Sequence, residues 1–436
     1  MFTGSCARSP EVRTKDQRLS QLDELSALWS FYKFTYIKDG RVISLDEKGI
    51  TTSEGQSYAM LRAVWSNDRT TFESVWRWTR QHLQRREDRL FAWKWKDKIL
   101  DANSATDADT DVALALILAS RRFSDSSYLE HATAILNDIW MKEVVRVKDR
   151  YFVTAGNWAP AEKYPTIHPA YFAPYAYEVF AGIDQRHPWA ALIRSFYDVL
   201  HWLYFEKKVS LPPEIIYVDK HTGELLLKNS RSGRQSDFGY DAVPLFWRIS
   251  LDDRWFGRSE SKLRHRMLQF FEDEWKAKRR IFDRYTVQGE PISELEGLPH
   301  LASVHSLALD EGADLAEAIR SEKLDGLWGK ALVGEDTPYY LHNWLWFDRA
   351  FELQVLRHFD EFLGFLRPFD LIGFSASFPW ALVAITVILF LLSRTLWLFK
   401  AGFLICAFTL CFWYLGWPCW LLSPSTQPEV CHAALR

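Results

Sequence analysis

Three carboxylates at alternate positions, Asp107, Asp109 and Asp111, open the stretch SATDADTDVALALILASRRF, whose continuation from Val112 to Ala119 is apolar throughout. Acids are favoured at helix N-termini by the macrodipole, so capping is one reading. The other is that a buried helix delivers a carboxylate to a substrate. Two further stretches repeat the arrangement. In TTSEGQSYAMLRAVW, residues 51–65, Ser53 and Gln56 stand at capping-box spacing, which predicts a helix from Glu54. Tyr58, Leu61 and Trp65 then recur at helical intervals. In SDFGYDAVPLFWRIS, residues 236–250, Pro244 is tolerated only in a first turn, so a helix starts near Tyr240 or Asp241. Three largely apolar helices, each with an acid at its mouth, predict one acidic cleft at the end of a helical stack.

Chemistry that needs paired carboxylates and no metal is, above all, glycoside hydrolysis: one acid protonates the departing oxygen while the other activates water or attacks the sugar. Opposite protonation states are arranged by desolvation and neighbouring charge. A third carboxylate raises the pKa of the acid and holds sugar hydroxyls. Competing motifs fail on spacing. DADTD opens like a calcium loop, but Val112 stands where that loop needs glycine and Leu118 where it ends in glutamate. No HExxH, G-x-S-x-G or phosphate-cradling glycine loop occurs, and His300 and His305 are misplaced for one helical face. No cofactor is called for, and a net charge of −3 gives no electrostatic case for nucleic acid. An aromatic content of 16%, with 21 tryptophans, suits both a core and a cleft that stacks flat sugar faces.

The elements that must position these acids read as helices broken by Gly, Pro and Asp clusters: 20–35, 54–66, 70–84, 106–122, 127–140, 169–181, 187–205, 241–250, 259–277, 300–320 and 340–364. Strand-like alternation is confined to RYFVTAG and ELLLKNS. The class is mainly α. Helices apolar all round alternate with amphipathic ones, which predicts inner helices enclosed by outer ones. A polar segment 1–18 is expected to be loose, with one domain over 19–368. The composition then changes. Residues 371–393 and 401–428 carry no charge, which predicts a transmembrane hairpin within 369–436, with spans at about 374–393 and 401–422. Arg394 and Lys400 in the intervening turn place that turn in the cytoplasm and the large domain on the extracytoplasmic, for instance periplasmic, side. MFTGSCARSPEV has no apolar signal-peptide run, although TGSC before Cys6 resembles a lipoprotein cleavage box. The other cysteines, Cys406, Cys411, Cys419 and Cys431, leave residues 7–405 without a thiol for a disulfide or zinc site.

Taken together the motifs resemble glycoside hydrolase family 8, which includes bacterial endoglucanases and the cellulase associated with bacterial cellulose synthesis. TTSEGQSYAMLRAVW is similar to its N-terminal motif and ATDADTDVALALILASRRF to its most specific signature. LFAWKW (90–95), YFAPYAYEVFA (171–181) and SDFGYDAVPLFWR (236–248) match in order and spacing. The resemblance implies an (α/α)6 toroid that inverts β-1,4-glucan or related chains. It implies that Glu54 is the general acid, Asp241 the base that activates water, and Asp107 the contact to the sugar on the non-reducing side of the cleaved bond. Tyr171 would line the same subsite. An inverting pair is expected about 6.5–9.5 Å apart. Two departures stand out: Pro244 replaces a family arginine three residues after the base, and NPSYF reads HPAYF, with His168 and Ala170 substituted. His168, beside Pro169, reads as a turn residue. Trp93 and Trp95, in an extended segment, are candidate stacking platforms, Lys94 and Lys96 read as solvated, and Asp237 is a candidate partner one turn before Asp241. The expected function is a membrane-anchored endo-glycosidase, with a glycan-binding component of a polysaccharide synthesis or export complex, or a xylan- or chitosan-cleaving enzyme, as alternatives.

Overall fold

The structure, a computed structural model, describes residues 15–358 apart from 85–86, 229–232, 234, 259 and 336. The chain divides into a unit ending at Gly364 and a second from Phe365, and the described residues belong to the first. The hairpin expected at 374–393 and 401–422 lies outside them, as do residues 1–14. None of the described helices is long and apolar enough to cross a membrane.

Thirteen α-helices are described: α1 Lys15–Tyr36, α2 Ser53–Trp65, α3 Arg69–His82, α4 Thr106–Arg122, α5 Ser127–Glu143, α6 Pro174–Ile183, α7 Trp189–His201, α8 Pro244–Phe256, α9 Ser261–Lys278, α10 Leu298–Glu311, α11 Ala313–Ile319, α12 Asp325–Val333 and α13 Tyr339–Glu352. Six of them, α2, α4, α6, α8, α10 and α13, pack successively into a ring. Their sequences explain the position. In α4 every residue from Val112 to Ala119 is sealed from solvent, which requires neighbours on all sides. The outer helices bury one stripe each: α3 turns Phe72, Val75, Trp76 and Thr79 inward, at helical spacing, and α7 does so with Leu192, Ile193, Phe196, Val199 and Leu200. The ring closes from α2 to α13, where the Arg62 Nη1 donates to Asn343 Oδ1 at 3.0 Å. The Arg62 guanidinium lies 3.9 Å from the Tyr32 ring centre and 5.0 Å from those of Trp29 and Trp346, so π faces serve it in place of a carboxylate.

Short strands, not helices, bring the loops of the site together. Thr51–Thr52 pairs with Lys94–Lys96, which pairs with Lys98–Asp101. This sheet lays Trp93 beside the start of α2, with Ser53 N donating to Trp93 O at 3.0 Å and Trp93 N to Asn103 O at 2.8 Å. A second sheet joins Thr166–Ile167 to Ile216–Val218 and Leu225–Leu226, leading into His168.

Several expectations are corrected. The first helix begins at Lys15, inside the segment expected to be loose. The cap of α2 is Thr52, whose side chain accepts from Gly55 N at 3.1 Å, not Ser53. Gln56 cannot complete a capping box because its amide is buried, accepting from Val42 N at 2.6 Å and donating to Thr79 Oγ1 at 2.7 Å. A 3-10 turn, Tyr240–Ala242, precedes α8, which starts at Pro244, where a missing N–H costs nothing. The 169–181 segment opens as a 3-10 turn and becomes helical only at Pro174. The 300–320 helix is broken at Gly312, and the last described helix stops at Glu352, before Gln354 takes a left-handed φ of 57°. Besides the pieces expected in RYFVTAG and ELLLKNS, strands form at 37–38, 41–42, 51–52, 94–96, 98–101, 144–147, 166–167 and 216–218, each two to four residues long.

One buried ion pair ties the ring together below the helix mouths. Arg248 Nη2 donates to Asp111 Oδ2 at 2.7 Å and Nη1 to Tyr175 Oη at 3.2 Å, with both charged side chains almost fully enclosed. Arg248→Met leaves the Asp111 carboxylate buried and alone, an expected loss of about 3–5 kcal/mol. Denaturant unfolding checks it: the single variant should lose that much, and the double variant Arg248→Met/Asp111→Leu should regain most of it.

Candidate active site

The N-terminal ends of α2, α4 and the turn before α8 open on one groove of about 510 Å³, lined by Glu54, Asp107 and Asp241 together with Trp93, Tyr171, Tyr339 and Tyr340. Glu54 stands in the first turn of α2, fixed by the Thr52 cap. The next residue is glycine for a steric reason: a Cβ at Gly55 would lie 1.9 Å from Tyr339 Oη. Tyr58, one helical turn on, donates to Glu54 Oε1 at 2.8 Å. Asp107 sits in the first turn of α4, where Thr106 N donates to Ala155 O at 3.3 Å. It is 4% exposed and its Oδ1 has no protein hydrogen-bond partner, an acceptor that a substrate hydroxyl would satisfy.

Asp241 differs from both. Its side chain is 55% exposed and so within reach of water. Its backbone is held from behind: Asp241 N donates to Glu214 Oε1 at 3.1 Å, and Glu214 N donates to Asp237 O at 2.8 Å. Gly239 makes room for this arrangement, since a Cβ there would meet Glu214 Oε1 at 2.5 Å. His168 Nδ1 lies 3.9 Å from Asp241 Oδ2, and its ring stacks on Tyr171 at 4.3 Å and 17°.

The groove gives its acids unequal surroundings. Burial, then the neighbouring Asp107 charge, pushes Glu54 up to about 8 against the opposing donation from Tyr58, with Asp241 and Asp111 adding to the rise. Asp107 is also raised, chiefly by burial, with Arg248 pulling it back and Asp111 pushing it up. The phenols of Tyr171 and Tyr340 are driven well above their ordinary value by burial and by the carboxylates around them. They stay neutral and keep a proton to donate. The site thus offers a carboxylic acid at neutral pH, an exposed carboxylate, and hydroxyl donors between them.

The residues predicted from sequence divide cleanly. Glu54, Asp107, Asp241, Tyr171 and Trp93 all face the groove. Trp93 is oriented by a side-chain hydrogen bond to Asp101. Lys94 is not simply solvated, since its ammonium lies 4.9 Å over the Trp93 ring and it also lines the groove. Trp95 does not face the groove: its ring is held edge-on to Trp78 at 5.2 Å and beneath the Arg41 guanidinium at 4.4 Å, and the strand register shifts between Lys94 and Trp95. Asp237 is not a groove residue either. Its carboxylate lies 3.9 Å from Arg284, and its link to Asp241 runs through its backbone carbonyl and Glu214. Asp109 accepts from Phe91 N at 3.0 Å and Asp111 binds Arg248, both beneath the groove.

Sequence reasoning missed Tyr339, Tyr340, Tyr240, Asp46 and Glu214. Asp46 Oδ2 accepts from Tyr339 N at 2.7 Å and so fixes the start of α13, and Tyr340 Oη donates to Tyr240 O at 3.2 Å. The signal was present in PYY ahead of an apolar helix, two aromatics at a helix mouth like those of the three acids.

The sequence profile of Glycosyl hydrolases family 8 matches residues 19–297. Among curated relatives, the chain is 30% identical over 235 residues to a probable endoglucanase of Novacetimonas hansenii, covering 52% of this chain and 67% of the relative. It is 28% identical over 306 residues to endoglucanase A of Acetivibrio thermocellus, covering 66% and 58%. Over the endoglucanase of Cellulomonas uda the match spans 47% of the relative's length, so the chain aligns with only about half to two thirds of these proteins. Among solved structures, an endoglucanase from Komagataeibacter sucrofermentans superposes with a TM-score of 0.62 at 21% identity, covering 77% of this chain and 99% of that one. A β-1,3-1,4-glucanase from Paenibacillus sp. X4 does so at 0.68 and 20% identity, covering 81% and 96%. At that identity the likeness is one of fold, and it is the (α/α)6 toroid of inner and outer helices described above. With its profile matched across most of the described unit, the chain belongs to glycosyl hydrolase family 8.

Proposed function

We propose that the protein is an inverting endo-glycosidase of β-1,4-glucan chains, with Glu54 as general acid, Asp241 as general base and Asp107 as the carboxylate that grips the sugar beside the scissile bond. The observation that carries the reading is the contrast between Glu54, held protonated to about 8, and Asp241, exposed to water in the same groove. The Glu54 carboxyl gives its proton to the glycosidic oxygen as the C–O bond breaks. A water attacks the anomeric carbon from the opposite face and loses a proton to the Asp241 carboxylate, so one chain leaves with a new hydroxyl and the other with an inverted hemiacetal. Solvent then restores both protonation states. Asp107 accepts a hydroxyl of the bound sugar through its unpartnered Oδ1, and Trp93, Tyr171 and Tyr340 supply flat or donating surfaces. The endoglucanase names of the relatives support β-glucan as the polymer.

The reading extends to an anchored, extracytoplasmic enzyme working beside polysaccharide synthesis or export machinery. Its support is the pair of uncharged stretches at 371–393 and 401–428.

Glu54→Gln is expected to lower kcat on mixed-linkage glucan by about 10²–10⁴-fold while binding survives, as removal of a general acid does. Reducing-end release and a binding isotherm check it. Product NMR on the wild type should show the inverted anomer first. The pH profile carries a sign. Activity needs Glu54 protonated, so kcat/KM should hold below about 8 and fall as pH rises through that value. Tyr58→Phe removes a donor that favours the ionised form, so the alkaline limb should move to higher pH.

A further inference from the structure

Position 244, three residues beyond Asp241, holds proline, so that position offers Asp241 no side-chain donor. Among the described residues, Glu214, Tyr171 and Tyr340 also stand near that carboxylate, and a ring nitrogen reaches toward it from the loop after Thr166–Ile167. His168 is 8% exposed, and its Nδ1 is buried without a hydrogen-bond partner. That nitrogen points toward Asp241 Oδ2 across 3.9 Å, a gap too long for a direct bond and short enough for a small swing of the exposed carboxylate to close. The imidazole is backed by the Tyr171 ring, on which it stacks at 4.3 Å, and Tyr171 N donates to the His168 carbonyl at 3.0 Å, which fixes the local backbone. A ring nitrogen enclosed without a partner is a costly arrangement unless it finds one during turnover.

We propose that His168 is a positioning residue for Asp241, its Nδ1–H holding the carboxylate in the orientation that receives the proton of the attacking water. His168 supplies the directional donor that position 244 lacks, and its stack on Tyr171 couples the base to the subsite occupied by the sugar. Burial favours the neutral ring, so the interaction is that of an N–H donor to a carboxylate and not of an ion pair. The proposal places the single proton of that form on Nδ1, the nitrogen that faces Asp241. The proposal rests on the assignment of Asp241 as base.

Two kinds of variant separate donation from stacking. His168→Phe keeps a ring over Tyr171 and removes the donor, and His168→Ala removes both without added bulk. His168→Asn keeps an N–H at similar reach and gives up the aromatic ring. With full-length protein and mixed-linkage β-glucan, Phe and Ala should each lower kcat about 10- to 100-fold with KM within about twofold, the scale of a misplaced catalytic group. Asn should stay within about threefold of wild type. Wild-type kcat in His168→Phe or His168→Ala, or an Asn variant as slow as either, overturns the proposal. The underlying reading is tested apart from it: Glu54→Gln or Asp241→Asn with full turnover removes the acid–base assignment itself. Inactive Glu54→Gln and Asp241→Asn beside a fully active His168→Phe removes only the role of His168.

Discussion

Like charges held close in a partly dry groove are the constraint on which the rest of the site depends. Glu54, Asp107 and Asp241 would repel one another if all were ionised, and burial penalises ionisation most where water is scarcest. The groove resolves the conflict by giving the carboxyls unequal surroundings. Glu54, in the first turn of α2, keeps its proton, whereas Asp241 looks out into solvent from a 3-10 turn. A donor and an acceptor of protons then coexist at one pH without any metal having to be invoked for the proposed chemistry.

The helical ring exists, in functional terms, to hold that inequality in place. Glu54 and Asp107 stand in the first turns of inner helices whose bodies are buried, so neither can retreat into water without unpacking the core, and Asp241 is held at the mouth of a third by the turn before α8. Beneath them, Arg248 and Asp111 join α8 to α4, while Arg62 and Asn343 join α2 to α13. Close approach does the finer work. Gly55 lets the Tyr339 phenol lie against the backbone next to Glu54, and Gly239 lets Glu214 reach the amide of Asp241. A methyl group at either position would displace that neighbour.

Much of this was legible in the sequence, and the boundary has physical reasons. The three acids could be read because each precedes a run that is apolar all round, and such runs have only one place to go in a helical domain. Pro244 located the start of α8 only to within a turn, because proline is tolerated throughout the first turn and here occupies its first position. The cap of α2 was misread by one residue because Gln56 has the right spacing for a box and yet is consumed by a buried network with Val42 and Thr79. Trp95 was indistinguishable from Trp93 until a two-residue strand pairing fixed which ring faced inward. Glu214 and His168 reach the site through loops and tertiary pairing, and no local pattern encodes such meetings.

The central claim is that Glu54 holds a proton at neutral pH, and infrared difference spectroscopy reads it directly. A wild-type minus Glu54→Gln spectrum at neutral pH should contain a protonated-carboxyl C=O stretch, which should disappear with a midpoint at about 8 as the pH is raised. A difference spectrum containing only ionised-carboxylate bands at neutral pH would contradict the account.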